Sequence, residues 1–303
     1  MRILVAGAGG FVGRRLIRLL VQRGHQVVAA VRQPLGAEEE GALREAGIES
    51  VVTDLARPDF RKFPSDVDAL VSLAQSRHFR EFPSRSEDIF TVNVDAFLRL
   101  LEWARVSGVR KIVYASTGGI FGSGELQGEI PRILAESPLG FYLATKLCAE
   151  ALLQSYRRLF PTTVVLRPFF IYGPGQRADM LVPRLIASVR EGRAVQLQGC
   201  DGLRFNPIFV DDAAAAFARA VELEGHHVLD LAGPEVVSLR KVCEVIGRLV
   251  GRDPVYTMLE QPAAEFVGNT RLTWVMIGRP VVRIEEGLKR CIADRSTMQR
   301  FES

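Results

Sequence analysis

Cysteine is scarce in this 303-residue chain. Cys148, Cys200, Cys243 and Cys291 stand far apart and form no C-x-x-C pair. That spacing argues against a disulfide framework and against a metal site, and it suits a reducing compartment. Long apolar runs are lacking too, none approaching the ~20 residues that a membrane-spanning helix requires. Neither sign of charge dominates: 39 Lys and Arg stand against 35 Asp and Glu, a formal net charge of +4. Lysine is rare and the arginines form no dense stripe, so a nucleic-acid surface is not expected. There is no internal repeat and no low-complexity segment. Strand-like sequence begins at Arg2, which leaves no room for a leader peptide, and a cytoplasmic location is expected. What remains is an ordinary globular balance, 48% hydrophobic and 24% charged, in a chain long enough for one large domain or two unequal ones.

Within that balance the order of elements is distinctive. Short apolar runs at Ile3–Ala6, Val27–Val31, Ser50–Thr53, Ala69–Leu73, Lys111–Ala115 and Thr163–Arg167 read as strands. Helical patterns separate them at Val12–Arg23, Ala37–Ala46, Ile89–Ser107 and Phe141–Phe160. Buried strands alternating with helices predict an α/β fold, a doubly wound parallel sheet with its ligand crevice at the carboxyl ends of the strands. After Gly173-Pro174-Gly175 the pattern shortens into a smaller mixed α/β region. Residues 1–175 are expected to form the main domain and 176–303 a substrate-binding region, with a stretch near 207–232 able to pack back onto the main sheet.

The first strand runs into Gly7-Ala8-Gly9-Gly10-Phe11-Val12-Gly13 and then into an amphipathic helix. Glycines at 7, 10 and 13 let the backbone approach a pyrophosphate, and the helix N-terminus offers it free N–H groups. Gly7, Gly10, Phe11, Val12 and Gly13 are therefore expected to hold a dinucleotide. The second strand ends Val31-Arg32-Gln33, with no acid to bind an adenosine ribose. Arg32 there suits a 2′-phosphate, favouring NADP over NAD, though a solvated arginine would look the same.

Tyr142-Leu143-Ala144-Thr145-Lys146 places a phenol and an ammonium on one helix face. A nearby cation is expected to lower the tyrosine pKa and fit Tyr142 for acid/base work. Ser116 and Thr117, at the end of the fifth strand, are placed to bind a reacting oxygen, although serine, threonine and glycine also favour simple turns.

Together these motifs resemble the extended short-chain dehydrogenase/reductase family, the nucleotide-sugar epimerase/dehydratase group. The G-x-x-G-x-x-G spacing carries part of that likeness. The resemblance covers nearly the whole chain. Phe121-Gly122 matches the aromatic-Gly end of the family's strand-end motif, and counting back implies Thr117 as the catalytic hydroxyl, with Ser116 the fallback. Tyr142 and Lys146 complete the implied catalytic set, and Lys146 would also hold the nicotinamide ribose. The likeness extends cofactor contacts to Asp54-Leu55, Leu73-Ala74-Gln75, Asn93 and Ser116, and to Pro168, Phe169 and Ile171 in Arg167-Pro168-Phe169-Phe170-Ile171-Tyr172-Gly173-Pro174. Ser116, Phe170 and Arg204 are the implied substrate contacts, Arg204 as the phosphate arginine. From their own places in the chain, His78, just past a cofactor-contacting loop, reads as a substrate contact or a solvated loop residue, and Arg177, after the glycine-proline turn, as a diphosphate contact or a surface residue. Val210-Asp211-Asp212 is similar to the family's V-D-D segment.

Three departures refine the expectation. Phe170 replaces an asparagine that contacts the sugar nucleotide in many relatives. Arg204 lies one position further from Val210 than the family arginine, Phe205 taking its place. Gly118-Gly119 stands where dehydratases carry an acidic pair, which argues against water elimination. The expected activity is hydride-transfer epimerisation of a nucleotide-diphosphate sugar, or reduction of a keto-sugar. NADPH-dependent reduction of a non-sugar ketone and a non-catalytic NAD(P)-sensing regulator are the alternatives. The resemblance implies a homodimer built from the apolar faces of Ile89–Ser107 and Phe141–Phe160.

Overall fold

The computed structural model describes residues 1–33, 37–121 and 128–294. Gly122, the end of the aromatic-Gly match, lies outside them. The described residues form two compact units, one of residues 1–33, 37–120, 128–167 and 214–229, the other of residues 121, 168–213 and 230–294.

The first unit holds a seven-stranded parallel sheet. Its strands are β1 (Arg2–Ala6), β2 (Gln26–Val31), β3 (Ile48–Val52), β4 (Ala69–Ser72), β5 (Lys111–Ala115), β6 (Thr162–Pro168) and, entering later in the chain, the strand His226–Leu231. The spatial order is His226–Leu231, β6, β5, β4, β1, β2, β3. All four residues of β4 are buried, as expected for a strand covered on both faces. The order reverses between β1 and β4, and such a switch point opens a crevice at the strands' carboxyl ends. The intervening helices are α1 (Gly13–Gln22), α2 (Ala37–Glu45), α3 (Ser86–Phe90), α4 (Ala96–Val106), α5 (Ile130–Glu136) and α6 (Gly140–Tyr156). Helix α1 buries Leu16, Ile17 and Leu20, the stripe that its spacing predicts.

The segment read as one helix over Ile89–Ser107 differs. It is α3 and α4 joined by a π-helical turn, Thr91–Asp95, which buries Asn93 and Val94. A one-turn π bulge is a frequent device near functional sites. Over so short a stretch, apolar spacing does not separate a widened turn from an ordinary one.

The second unit is built from short pairings. β7 (Ile171–Tyr172) pairs with β10 (Ile208–Phe209), and β8 (Val195–Gln198) with the later strand Tyr256–Leu259. β9 (Arg204–Phe205) lies between Val237–Ser238 and Glu265–Phe266. Helix α7 (Leu181–Glu191) and the helix Leu239–Val250 each end on a left-handed glycine, Gly192 and Gly251. α8 (Val210–Ala220) carries the chain onward. Its Asp212 accepts hydrogen bonds from the backbone N–H groups of Val281 and Val282, at 3.1 and 2.8 Å. The V-D-D segment thus anchors the chain just before the helix Ile284–Ala293.

Candidate active site

The glycine turn leaves β1 at the switch point. Gly7 has φ of +86°, where a side chain is strained, and a Cβ there would meet Ala74 N at 3.0 Å. A Cβ on Gly13 would lie 2.3 Å from Gly7 O. The turn is therefore a cradle that only glycine can form, closed by Gly10 N–H donating to Gly7 O at 3.0 Å. Helix α1 starts without a side-chain cap and without an acid in its first turn, so its positive end is open to an anion. Phe11 and Val12 are half-buried beside it. These features fit a dinucleotide's pyrophosphate.

Other predicted cofactor contacts gather at neighbouring strand ends. Leu73 N–H donates to Ala6 O at 2.9 Å, which sets the β4 loop beside the glycine turn. Leu55 and Ala74 pack, half-buried, against the sheet's core. Asp54 is exposed and accepts from Ala56 N–H at 3.0 Å, so its own turn fixes it. Arg32 is exposed just past β2.

The catalytic candidates converge within the same unit. Ser116 is 5% exposed and its Oγ has no hydrogen-bond partner among the described residues. Thr117 Oγ1 accepts from Gly119 N–H at 3.2 Å. Tyr142 Oη donates to Gln75 Oε1 at 3.2 Å, and the Phe79 ring leans on Tyr142 with centroids 5.1 Å apart. Lys146 is 2% exposed. Its Nζ donates to Ala115 O at 2.8 Å and sits 5.0 Å above the Tyr114 ring.

The electrostatics correct one expectation. Burial pushes the Tyr142 phenol up to about 12, with the Thr117 hydroxyl pulling weakly the other way. Burial also brings Lys146 down to about 7, opposed by the Glu150 carboxylate. The anticipated lowering of Tyr142 by an adjacent ammonium is thus absent from the free site: desolvation disfavours both charges, and Lys146 is committed to a carbonyl.

Asn93 does not stand open for a ligand. Its Oδ1 accepts from Ser76 N–H and its Nδ2 donates to Thr145 Oγ1, both at 2.9 Å. His78 is also engaged within its own turn, with Nδ1 2.8 Å from Glu81 and Nε2 accepting from Arg77 at 3.0 Å. Sequence reasoning passed over Ser76, Phe79, Asp88 and Thr145. Only Thr145 carried a signal, lying inside the quoted Tyr-Lys motif.

The substrate candidates of the second unit are more apolar than expected. Phe169 is buried against Phe266, centroids 4.9 Å apart, and lies parallel to Phe121. Phe170 has φ of +45° and meets Phe205 and Phe266 edge-on at 5.1 and 5.3 Å. Pro168 and Ile171 are half-buried. The two arginines expected at a diphosphate both hold acids, Arg177 with Asp179 at 2.9 Å and Arg204 with Glu265 at 2.7 Å. Phe205, which took the family arginine's place, is fully buried.

A doubly wound sheet, a glycine cradle at its switch point and a buried Tyr-Lys pair one helical turn apart define a nicotinamide-dinucleotide enzyme of the extended short-chain dehydrogenase/reductase type. The model of the NAD dependent epimerase/dehydratase family matches residues 3–231. The chain belongs to that family. A UDP-glucuronate 4-epimerase of Thermodesulfobacterium geofontis is 30% identical over 66% of this chain, and the match spans 64% of that protein. A 2-alkyl-3-oxoalkanoate reductase of Stenotrophomonas maltophilia is 32% identical over 73% of this chain and 66% of its own length. Among solved structures, MoeE5 in complex with UDP-glucose and NAD superimposes with a TM-score of 0.79 at 25% identity, all of both chains being covered. Among the described residues no helix is long and apolar enough to cross a membrane.

Proposed function

We propose that this enzyme epimerises a nucleotide-diphosphate sugar by transient oxidation at one sugar carbon. The observation that carries the reading is the buried Tyr142–Lys146 pair beside Thr117. The UDP-sugar epimerase among its relatives and the UDP-glucose and NAD held by MoeE5 support it. Gly7, Gly10, Phe11, Val12 and Gly13 would hold the pyrophosphate. When bound, the nicotinamide supplies a hydride acceptor and donor.

The chain's own groups manage the proton. Once ionised, Tyr142 Oη takes the proton of the sugar hydroxyl as that carbon is oxidised, and returns it when the carbon is reduced on its other face. Protons and electrons balance, and the net change is one inverted centre. Thr117 and Ser116 hold the reacting oxygen. Lys146, fixed by Ala115 O, holds the nicotinamide ribose. A phenol near 12 is protonated at neutral pH, so the free site can donate a proton to a keto oxygen directly, whereas the oxidising half of an epimerisation first requires the phenol to lose its proton.

NAD is the expected resident cofactor of an epimerase, because each cycle regenerates it. The missing acid after β2 and the exposed Arg32 leave room for NADP. They favour a second reading, NADPH-dependent reduction of a non-sugar ketone. The phenylalanines around Phe170, the ion-paired Arg177 and Arg204, and the oxoalkanoate reductase among the relatives support that reading. We place the enzyme in the cytoplasm, on the strength of its unpaired exposed thiols Cys148 and Cys200. A homodimer is supported by Phe90, Val106 and Leu159, exposed at 50%, 75% and 54% on the two helical segments with apolar faces.

The test begins with denaturing the purified protein and identifying the released nicotinamide by mass spectrometry. UDP-glucuronic acid and UDP-glucose are then offered to wild type and Tyr142→Phe. Epimerisation that falls about 10³-fold in the variant, with dinucleotide affinity unchanged, supports the mechanism. Near-normal turnover in the variant refutes it. An empty site that reduces 3-oxoalkanoates with NADPH transfers the assignment to the second reading.

A further inference from the structure

A ring of hydrogen bonds in the first unit closes on the candidate acid/base. Tyr142 Oη donates to Gln75 Oε1 at 3.2 Å. The next residue, Ser76, donates its backbone N–H to Asn93 Oδ1 at 2.9 Å. Asn93 Nδ2 donates to Thr145 Oγ1 at 2.9 Å, and Thr145 Oγ1 donates to Tyr142 O at 2.7 Å. The ring ties together the loop after β4, the π-helical turn and the first turns of α6. The Ser76 side chain adds a second clamp, its Oγ donating to Asp88 and accepting from His78 N–H.

The members of this ring differ in one telling way. Ser76, Asn93 and Thr145 are 2%, 2% and 3% exposed, whereas Gln75 is exposed. An exposed glutamine normally trades its amide contacts with water, since holding one rotamer costs side-chain entropy. Here the neighbouring backbone is already immobilised, so less freedom remains to be lost. The Gln75 amide is thereby presented to the one hydroxyl on which the reaction depends. Phe79 packs on the same tyrosine ring and limits its access to water.

We propose that Gln75 is a positioning residue for Tyr142: its amide oxygen accepts the phenolic hydrogen in the substrate-free protein, holding the phenol neutral and aimed, and gives way when a substrate oxygen takes its place. The proposal rests on Tyr142 being the acid/base. A neutral amide suits the task. It accepts a hydrogen bond without adding a charge, so it favours the phenol over the phenolate only modestly. A carboxylate at the same place would oppose ionisation by like-charge repulsion, and an apolar side chain would remove this acceptor and leave the phenol with the Thr117 hydroxyl.

The ionisation of residue 142 tests this directly and needs no substrate. 2,3,5-Trifluorotyrosine at position 142 ionises where the protein stays folded, and its ¹⁹F NMR shift reports the two forms. The protein is used as purified, with whatever dinucleotide it retains. Gln75→Leu is expected to raise the ionisation constant about fivefold, the size of one modest hydrogen bond lost from the neutral form. Gln75→Glu is expected to lower it about tenfold. Asn93→Ala, which opens the ring without touching Gln75, should move it in the same direction as Gln75→Leu. Leu and Glu variants that titrate within twofold of the parent overturn the proposal. Gln75 is exposed, so these two variants are expected to fold, and their melting temperatures check it. Turnover separates the two levels of the argument. If Tyr142→Phe is inactive while the Gln75 variants titrate as the parent does, only the role of Gln75 falls. If Tyr142→Phe remains active, the acid/base reading falls and the role of Gln75 falls with it.

Discussion

Replacing Lys146 with Met should stabilise the protein, and by an amount that depends on pH. The ammonium is 2% exposed, and among the described residues its hydrogen bond runs to Ala115 O. Burial lowers its pKa from 10.5 to about 7. In the unfolded chain the group takes up its proton near 10.5, so between those two values the unfolded state binds more protons than the folded one. Stability therefore rises with pH from about 7 toward 10.5, and the penalty is complete below about 7. At about 1.4 kcal/mol per tenfold change in proton affinity, the full penalty is about 5 kcal/mol. The methionine lacks that penalty but loses the bond to Ala115 O and the contact with the Tyr114 ring, about 2 kcal/mol together. Near pH 7 the variant is expected to be more stable than wild type by about 3 kcal/mol. That advantage should shrink by about 3 kcal/mol by pH 9.5, where the tyrosines common to both proteins titrate alike. Urea unfolding of both proteins at pH 7, 8 and 9.5, with no dinucleotide added, measures the difference. A gap between the two proteins that stays constant across this range would refute the reasoning, because only the titration of Lys146 makes it vary.

Three further outcomes follow from the same structure. Gly13→Ala forces a methyl group to within 2.3 Å of Gly7 O, so dinucleotide affinity by calorimetry should fall at least about 100-fold, with loss of about 3 kcal/mol in stability. Asn93→Ala leaves Ser76 N–H and Thr145 Oγ1 without their buried partner, so urea unfolding should show a loss of about 3 kcal/mol that does not vary between pH 6 and 9. If NADP is used, Arg32→Ala should weaken NADPH binding about tenfold and leave NADH binding unchanged; equal effects on both would make Arg32 a surface residue.

The parallel sheet was legible because its physics is local. β-Branched runs such as Gln26–Val31 and amphipathic stretches such as Gly13–Gln22 show their burial in their own periodicity. The glycine turn, the Tyr-Lys spacing and the hydroxyls after β5 are likewise contained within a few residues. The second unit was only partly legible. Two-residue strands such as Arg204–Phe205 carry no period of their own and exist only because Val237–Ser238 and Glu265–Phe266 flank them. The helices Arg271–Ile277 and Ile284–Ala293 went unread for a similar reason, being short and weakly marked.

The sequence by itself determined the doubly wound sheet, and it put forward a place for a dinucleotide and Tyr142 and Lys146 as the candidate catalytic pair. Each of these depends on neighbours in the chain or on a repeating pattern. The tertiary structure alone decided how those groups behave. It committed Lys146 to a carbonyl 31 residues away and withdrew both Tyr142 and Lys146 from water. It joined Gln75 to Tyr142 across 67 residues and Asn93 to Thr145 across 52. It also paired Arg204 with Glu265, 61 residues on. Proton affinity and hydrogen-bond partnership depend on what surrounds a group in space, and a pattern along the chain carries no record of that.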